Sequence, residues 1–221
     1  MLEKGNKRII NAWTFYDWAN SVYPLVITTA IFPMFYEAIT STENSDGTIN
    51  DMVFFWGMQF KNTELYSYVI SFSFLIVSFI SPILSGIADY ADSKKSFLKF
   101  FCYLGAVSCA SLYFFDIEHL ELSMLSVLFA SVGFWGSIVF YNAYLPEIAE
   151  PKDHDKISAK GYSLGYIGSS LLLIINLIMI MVYKVDARIS FLTVAIWWIG
   201  FSQITYVRLP NRVFSNKVKM D

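Results

Sequence analysis

Six long apolar segments constrain the fold of this chain more than any other feature of its sequence. They are bounded by charged residues and cover residues 13–39, 65–88, 97–115, 122–145, 161–183 and 187–207. Each reaches the length of about 18 residues that is expected of a transmembrane helix. The sequence therefore predicts an all-α integral membrane protein, in which residues 1–221 form one domain of six spans.

The composition supports the same fold class. Hydrophobic residues make up 56% of the chain and charged residues 15%, whereas a soluble domain has about 45–50% apolar and about 25% charged residues. The mean hydropathy is +0.49. These values exclude a disordered chain, a secreted disulfide scaffold and a typical soluble enzyme. The net charge of −2 gives no reason to expect nucleic acid as a partner.

The basic residues predict the orientation of the six spans. Of the 16 lysines and arginines, all but Lys61, Lys184 and Arg188 fall on the side that holds both termini. Basic residues are enriched in cytoplasmic loops, so this side is predicted to be cytoplasmic. We therefore expect a multi-pass protein of the cell (inner) membrane with both termini inside the cell.

Asp17 is the one ionisable residue placed well inside an apolar segment. A charge at that depth is costly, so such residues usually face a polar interior or a partner and have a function. Asn20 shares its helical face, and Tyr16 and Tyr23 lie beside it. We predict that these four residues line a path for a substrate or a proton. The alternative is that Asp17 is hydrated near the cytoplasmic end and serves only packing.

The end of the fourth segment extends this candidate path. Its Tyr141-Asn142 pair lies in a stretch that loosely resembles the one around Tyr16-Asp17 in the first segment. Segments one and four would correspond to each other if the six helices were two inverted three-helix repeats, a common transporter construction. We therefore add Tyr141 and Asn142 to the predicted path.

Small residues at helical spacing mark the second and fifth segments. The main ones are Ser78 and Ser85 in the second segment, and Gly161, Gly165 and Gly168 in the fifth. Small residues allow two helices to approach closely. These stripes could pack inside the bundle or against a second bundle, and the pattern alone leaves both possibilities open.

Signatures of catalysis are missing from the sequence. It has no HExxH or paired Cys/His spacing for a metal, no GxSxG nucleophile motif and no phosphate-binding GxxxxGK[ST] loop. We therefore predict no enzymatic activity, no metal and no cofactor.

The loop between segments two and three resembles the signature loop of major facilitator transporters, Gly-x-x-x-Asp-x-x-Gly-Arg-Lys. Asp89, Lys94 and Lys95 match its acidic and basic positions, whereas Ser85 and Asp92 replace its two glycines. The resemblance implies that Asp89, Lys94 and Lys95 act in gating, by forming and breaking contacts as the transporter changes state.

Four further stretches resemble one branch of this superfamily, the vacuole-effluxer-like family, also called the unknown major facilitator family. They are Tyr16-Asp17-Trp18-Ala19-Asn20-Ser21, Asn142-Ala143-Tyr144-Leu145-Pro146-Glu147, the entry to segment five from Ser158 to Tyr166, and Thr193-Val194-Ala195-Ile196-Trp197-Trp198. The resemblance implies a secondary transporter, and its fungal members are linked to export of amino acids from the vacuole.

The family architecture implies a place for each segment. It has twelve spans, and this chain would supply the N-terminal six as two inverted repeats of three. Spans one and four would line the central cavity, and spans two and five would pack against the opposite half. The expected partners are the bilayer, a small-molecule substrate, and a second six-helix half or another copy.

A second hypothesis belongs to another class. The chain could be a truncated product or an interaction scaffold that has no transport activity of its own. Six further apolar segments encoded beyond Asp221, in frame or nearby, would favour the transporter over this hypothesis.

Overall fold

The computed structural model describes residues 4–90 and 93–211, without the side chains of residues 89 and 90. Within these ranges, six helices are long and apolar enough to cross a membrane. Numbered as spans one to six, they are Lys7–Thr40, Asn62–Ala88, Lys94–Phe114, Leu120–Ile148, Pro151–Met181 and Ile189–Arg208. The prediction of an all-α bundle of six membrane spans is confirmed.

Spans two, three, four and six begin within three residues of their predicted apolar segments, and span one begins at Lys7 instead of residue 13. Span five shows the largest difference, since it starts at Pro151 instead of residue 161. Its first turn is a short 3₁₀ helix, Pro151–Asp153, which continues into the α-helix His154–Met181. Hydropathy marks only the part of a helix that suits hydrocarbon. The charged stretch between Lys152 and Lys160 is helical but mostly exposed, so its polar side chains hid it from the apolar pattern.

Neighbouring spans follow a simple order. Span one packs against spans five and six, span three packs against spans four and six, and span two packs mainly against span four. Spans one and four make few direct contacts. Each side chain that does join spans one and four therefore accounts for a large share of the contact between them.

Span one is not a regular helix. An α-helix, Lys7–Asn20, is followed by a π-helix, Tyr23–Ile31, and by a second α-helix, Phe32–Thr40. Pro33 has no N–H group to donate to the Thr28 carbonyl, five residues earlier in the chain. The Tyr66 hydroxyl of span two donates to that carbonyl instead, at 3.2 Å. A neighbouring helix thus satisfies the carbonyl that the proline frees, as membrane interiors require.

Two short β-hairpins fill the connection between spans one and two. Strand β1, Thr42–Glu43, pairs with β2, Ile49–Asn50, and β3, Met52–Phe55, pairs with β4, Met58–Lys61. Trp56 and Gly57 form the second turn with φ values of 47° and 76°, as the type I′ turns of two-residue hairpins require. The Trp56 N–H donates to Glu121 Oε1 at 3.1 Å, which ties this hairpin to span four.

Glycines bring spans three and four into backbone contact. A Cβ atom added to Gly133 would overlap the backbone of Gly105 and would lie 2.7 Å from the Phe101 carbonyl oxygen. A Cβ atom added to Gly136 would meet the Phe101 ring. Only glycine allows this approach, which explains why these two spans form the most extensive contact in the bundle.

The two ends of the described chain lie at the same end of the bundle, which we call the terminal end. The Gly5 N–H donates to the Ile148 carbonyl at 2.9 Å, and Lys4 Nζ donates to the Pro146 carbonyl at 3.0 Å. The Tyr144 hydroxyl donates to the Pro210 carbonyl at 3.2 Å. We call the opposite end, where β1–β4 lie, the hairpin end.

Candidate functional site

Asp17 lies at the meeting point of spans one, four and five. Its relative exposure is 5%, and its Oδ2 atom accepts a hydrogen bond of 2.8 Å from the Tyr141 hydroxyl of span four. A carboxylate buried among apolar groups needs such a donor, because an unpaired charge in a membrane interior is costly. The structure therefore brings together two residues that are 124 positions apart in the chain and that were both predicted for the path.

Trp13 fixes the position of Tyr141. Its indole Nε1 donates to the Tyr141 carbonyl at 2.8 Å, and the two rings stack with centroids 4.2 Å apart and an angle of 9° between their planes. The Tyr16 ring also packs against it, with its centroid 5.1 Å from that of Tyr141. Two aromatic rings from span one thus contact the side chain that donates to Asp17.

The glycine stripe of span five packs against this same region of span one. A Cβ atom at Gly161 would overlap Asp17 Oδ2, and one at Gly165 would overlap the Ser21 hydroxyl. At Gly168 a Cβ atom would lie 3.0 Å from atoms of Trp18. The three glycines are buried inside the bundle, so the expectation that they pack against an opposite half is wrong. Their small size serves the close approach of spans one and five.

The two serines of span two differ from those glycines. Ser78 is exposed and Ser85 is half-buried. Of the 18 most apolar consecutive residues of span two, only 6% are buried, which is the smallest share among the six spans. Their assignment to inter-half packing remains a prediction.

The other predicted path residues fall into different environments. Asn20 is 1% exposed, and its Nδ2 atom has no hydrogen-bond partner among the described residues. Tyr23 lies deeper in the bundle between Phe134 and Trp198, with ring centroids 5.5 and 5.6 Å away. Asn142 is exposed on span four, one residue beyond the buried Tyr141. The structure thus groups Asp17, Tyr16, Asn20 and Tyr141 near one another, and places Tyr23 and Asn142 elsewhere.

A second polar cluster lies at the terminal end. Lys94, at the start of span three, forms an ion pair with Glu147 near the end of span four, and both side chains are largely shielded. Lys95 Nζ donates to the Leu209 carbonyl at 2.8 Å, just beyond span six. The side chain of Asp89, the third residue of the predicted gating loop, lies outside the described residues. Two of the three loop residues therefore make contacts between spans.

In the described ranges 4–90 and 93–211, no three His, Cys, Asp or Glu side chains lie together where they could hold a metal ion. Cys102 and Cys109 are buried free thiols inside span three. The chemistry of this site is therefore that of one buried carboxylic acid with a phenol donor, surrounded by aromatic rings and one amide.

Comparison with known proteins decides the family. The family described as "Vacuole effluxer Atg22 like" matches residues 5–220. The chain belongs to this family. It is therefore a multi-pass membrane protein of a family of transport proteins, and this membership confirms the prediction that it is not an enzyme.

Relatives from bacteria and fungi agree with this membership. The chain is 35% identical over 197 residues to the "Uncharacterized MFS-type transporter YxiO" of Bacillus subtilis, covering 85% of this chain and 43% of that protein. It is 22% identical to the "Autophagy-related protein 22" of Gibberella zeae, over 64% of this chain and 24% of the relative. The protein of the same name from Coccidioides immitis is 22% identical, over 72% and 31%. No solved structure matches significantly.

The chain spans less than half the length of these relatives. The match to the vacuole-effluxer family nevertheless extends over almost the whole chain, from residue 5 to residue 220.

Three parts of the site could not be found from sequence patterns. Trp13 reads as one more aromatic residue at the start of an apolar segment, yet it positions Tyr141. Glu147 follows Pro146 at the end of span four, and only the fold shows that it faces Lys94. Gly161 stood out as a small residue, but its contact with Asp17 depends on which helix span five meets.

Proposed function

We propose that this chain forms the N-terminal half of a secondary active transporter that moves a small solute by alternating access. The observation that carries the proposal is the buried Asp17–Tyr141 hydrogen bond between spans one and four, in a chain of the vacuole-effluxer family. A carboxylic acid in that position can gain or lose a proton or bind a cationic group of a substrate. Either event changes its bond to Tyr141 and hence the tie between the two spans.

The proposal includes a second six-span half, either in the same polypeptide, in another chain or as a second copy of this one. Its support is the exposed face of span two and the length of the relatives, which are more than twice as long as the part matched. Amino acids are the proposed substrate class, because the family carries the name of vacuolar effluxers and one acidic side chain can bind an amino group.

Lys94, Lys95 and Asp89 are proposed as gating residues at the terminal end. The Lys94–Glu147 ion pair and the contact of Lys95 with the Leu209 carbonyl join spans three, four and six there. These contacts lie within one proposed half and hold its charged side chains where the second half could contact and release them as the two halves rock. The terminal end is proposed to face the cytoplasm of a cell membrane, as the distribution of basic residues favours.

Transport by reconstituted protein tests the function. The chain would be produced with its second half, placed in liposomes with an imposed pH gradient, and offered labelled amino acids. We expect uptake that Asp17→Asn abolishes and that Glu43→Gln, a change of an exposed acid in β1, leaves intact. Uptake by both variants at the same rate would contradict the role of Asp17.

The scaffold hypothesis makes the opposite prediction. A scaffold would be inserted and folded but would show no uptake with any solute, whether or not a second half is present. A thermal-shift screen of amino acids, sugars and organic acids on the complete complex adds a readout that does not need flux. Stabilisation of the wild type but not of Asp17→Asn would support the transporter.

The orientation needs its own test. Single cysteines at Lys94 and Lys152, which both belong to the predicted cytoplasmic side, should be labelled by an impermeant thiol reagent only after the membrane is opened. A cysteine at Lys184 should be labelled in intact cells. Labelling of Lys94 and Lys152 from opposite sides would contradict the six-span topology.

A further inference from the structure

An apolar groove lies at the hairpin end, outside the region around Asp17. It has a volume of about 340 Å³ and runs between the β3–β4 hairpin and the first turns of spans two and four. Leu65 and Met124, which are 2% and 1% exposed, form its floor. Tyr68 and Phe72 of span two line it and are 58% and 53% exposed. All of its lining residues are aliphatic, aromatic or methionine.

The β3–β4 hairpin forms the roof of the groove. Trp56 and Met58 line it from above and are largely exposed. The hydrogen bond from the Trp56 N–H to Glu121 Oε1 holds the turn over span four, and the Phe60 ring meets the Tyr68 ring edge-on at 6.2 Å. The β3–β4 hairpin therefore contacts both span two and span four.

The groove lies at the depth of one lipid leaflet. From Leu65 to Phe72 the helix rises about 10 Å, and Leu65 is one turn inside the start of span two. Trp56 lies beside the ends of the spans, where amphipathic indole rings settle between the headgroups and the hydrocarbon. The groove thus extends from the interface into the hydrocarbon layer.

The groove faces away from the side on which a second half is proposed. Ser73 marks the line of contact with span four, because its hydroxyl lies 2.6 Å from that of Ser131. With 3.6 residues per turn, the groove residues lie on one side of Ser73, whereas Phe74 and Ser78 lie on the other. The groove is about 140° around the helix from Ser78 and Ser85. A second half on the serine side therefore leaves the groove in contact with lipid.

We propose that this groove binds an acyl chain of a membrane lipid from the leaflet at the hairpin end. An acyl chain suits an elongated, uncharged groove that runs along a span, and its headgroup would then lie level with Trp56. Binding would fasten the hairpin to the bilayer and fill the space between spans two and four. The proposal depends on membrane insertion and not on transport.

Photo-crosslinking tests the proposal on the full chain in phosphatidylcholine nanodiscs. A trace of phosphatidylcholine with a diazirine in its acyl chain is added, and the adducts are mapped by mass spectrometry after irradiation. We expect several-fold more adducts on Tyr68 and Phe72 than on Phe79 and Ile83, which are exposed apolar residues of the same span but lie outside the groove.

Two variants separate a bound chain from surrounding lipid. Leu128→Trp fills the groove from span four and should lower labelling of Tyr68 and Phe72 several-fold, whereas Ile83→Trp should leave it unchanged. If Leu128→Trp does not fold, Met58→Gln replaces it, because Met58 is an exposed residue of the groove. This variant places a polar amide in the groove and should also lower the labelling of Tyr68 and Phe72. Equal labelling of groove and control residues would overturn the proposal in favour of ordinary boundary lipid. Groove residues that are labelled in nanodiscs holding one copy of the chain, but stay unlabelled in nanodiscs holding two, would assign the groove to a second copy.

Discussion

The Tyr141 hydroxyl donates a hydrogen bond of 2.8 Å to Asp17 Oδ2 and thereby joins span four to span one inside the bundle. The two spans contact each other much less than span one contacts spans five and six, or span four contacts spans two and three. Together with the hydrogen bond and ring stacking between Trp13 and Tyr141, the Asp17–Tyr141 bond is one of the few contacts that hold these spans in register. Under the proposed function, a proton or a substrate amine on Asp17 would weaken this bond, and chemistry at one atom would change the packing of two helices.

Removal of the phenol should weaken the fold and the proposed transport. Tyr141→Phe keeps the ring that stacks on Trp13 but leaves the buried carboxylate without its donor, and an unpaired buried group costs about 1–3 kcal/mol. We expect a lower midpoint of thermal unfolding in detergent and slower uptake in liposomes. Tyr183→Phe, which changes an exposed tyrosine at the end of span five, is the matched control. Equal midpoints for the two variants would show that the bond contributes nothing.

Gly161→Ala should weaken the contact between spans one and five. A Cβ atom there would overlap Asp17 Oδ2 and would lie 3.3 Å from the Tyr141 hydroxyl, whereas a Cβ atom at Gly200 in span six meets nothing within 4 Å. Overpacking of a tight contact costs about 1–3 kcal/mol, so Gly161→Ala should lower the unfolding midpoint. Gly200→Ala should leave it unchanged or raise it, because alanine favours helix. The order of the two midpoints is the measurement, and the reverse order would contradict the contact.

The sequence was informative about helices and about chemistry, but not about which helix meets which. Apolar length and charge predicted six spans, and the cost of burying a carboxylate singled out Asp17. The glycines of span five show the limit: their spacing predicts a close approach, yet the approach is to span one of the same bundle. Helical periodicity fixes which residues share a face and says nothing about the partner of that face.

Adjacent residues show the same limit at finer scale. The motif in span four pointed to Tyr141 and Asn142 together, but neighbouring side chains on a helix diverge by about 100°. Tyr141 is buried against Asp17, and Asn142 is exposed. The strands β1–β4 escaped prediction for another reason: two to four residues are too few to show an alternating pattern.

The proline of span one should be coupled to Tyr66. Tyr66→Phe removes the donor to the Thr28 carbonyl and should cost about 1 kcal/mol. Pro33→Ala restores an N–H group that can reach the same carbonyl, so Tyr66→Phe should cost less in that background. Unfolding midpoints of the two single variants and the double variant form the cycle. Strictly additive effects would mean that the proline and the phenol do not serve the same carbonyl.

The ion pair at the terminal end should show a favourable coupling. Lys94 and Glu147 are both shielded, with side-chain exposures of 17% and 29%, so their attraction is less screened than that of a surface pair. A double-mutant cycle with Lys94→Met and Glu147→Gln should give a coupling of about 1 kcal/mol in stability. If the pair belongs to the gate, uptake should also change with each single variant. A coupling of zero would reduce the pair to a surface contact.

The loop between spans three and four should respond to pH through His119. Its Nδ1–H donates a hydrogen bond of 3.0 Å to Asp116 Oδ2, which raises the pKa of the imidazole above its ordinary value. The bond from His119 and a second from the Glu118 N–H lower the pKa of the Asp116 carboxyl. The contribution of His119 to the free energy of unfolding is therefore complete below its unfolded-state pKa. It is lost as the pH rises through the raised pKa of the folded state.

The contribution of Asp116 to the free energy of unfolding has the opposite pH dependence. It is present above the ordinary pKa of the carboxyl and is lost as the pH falls through the lowered pKa of the folded state. The pair should accordingly be formed between the lowered pKa of Asp116 and the raised pKa of His119. An NMR titration of the imidazole, in a His154→Gln background that leaves one histidine in the chain, should have its midpoint above 6.5. Asp116→Asn should move this midpoint down, and a midpoint that does not respond would show that the two side chains do not interact in solution.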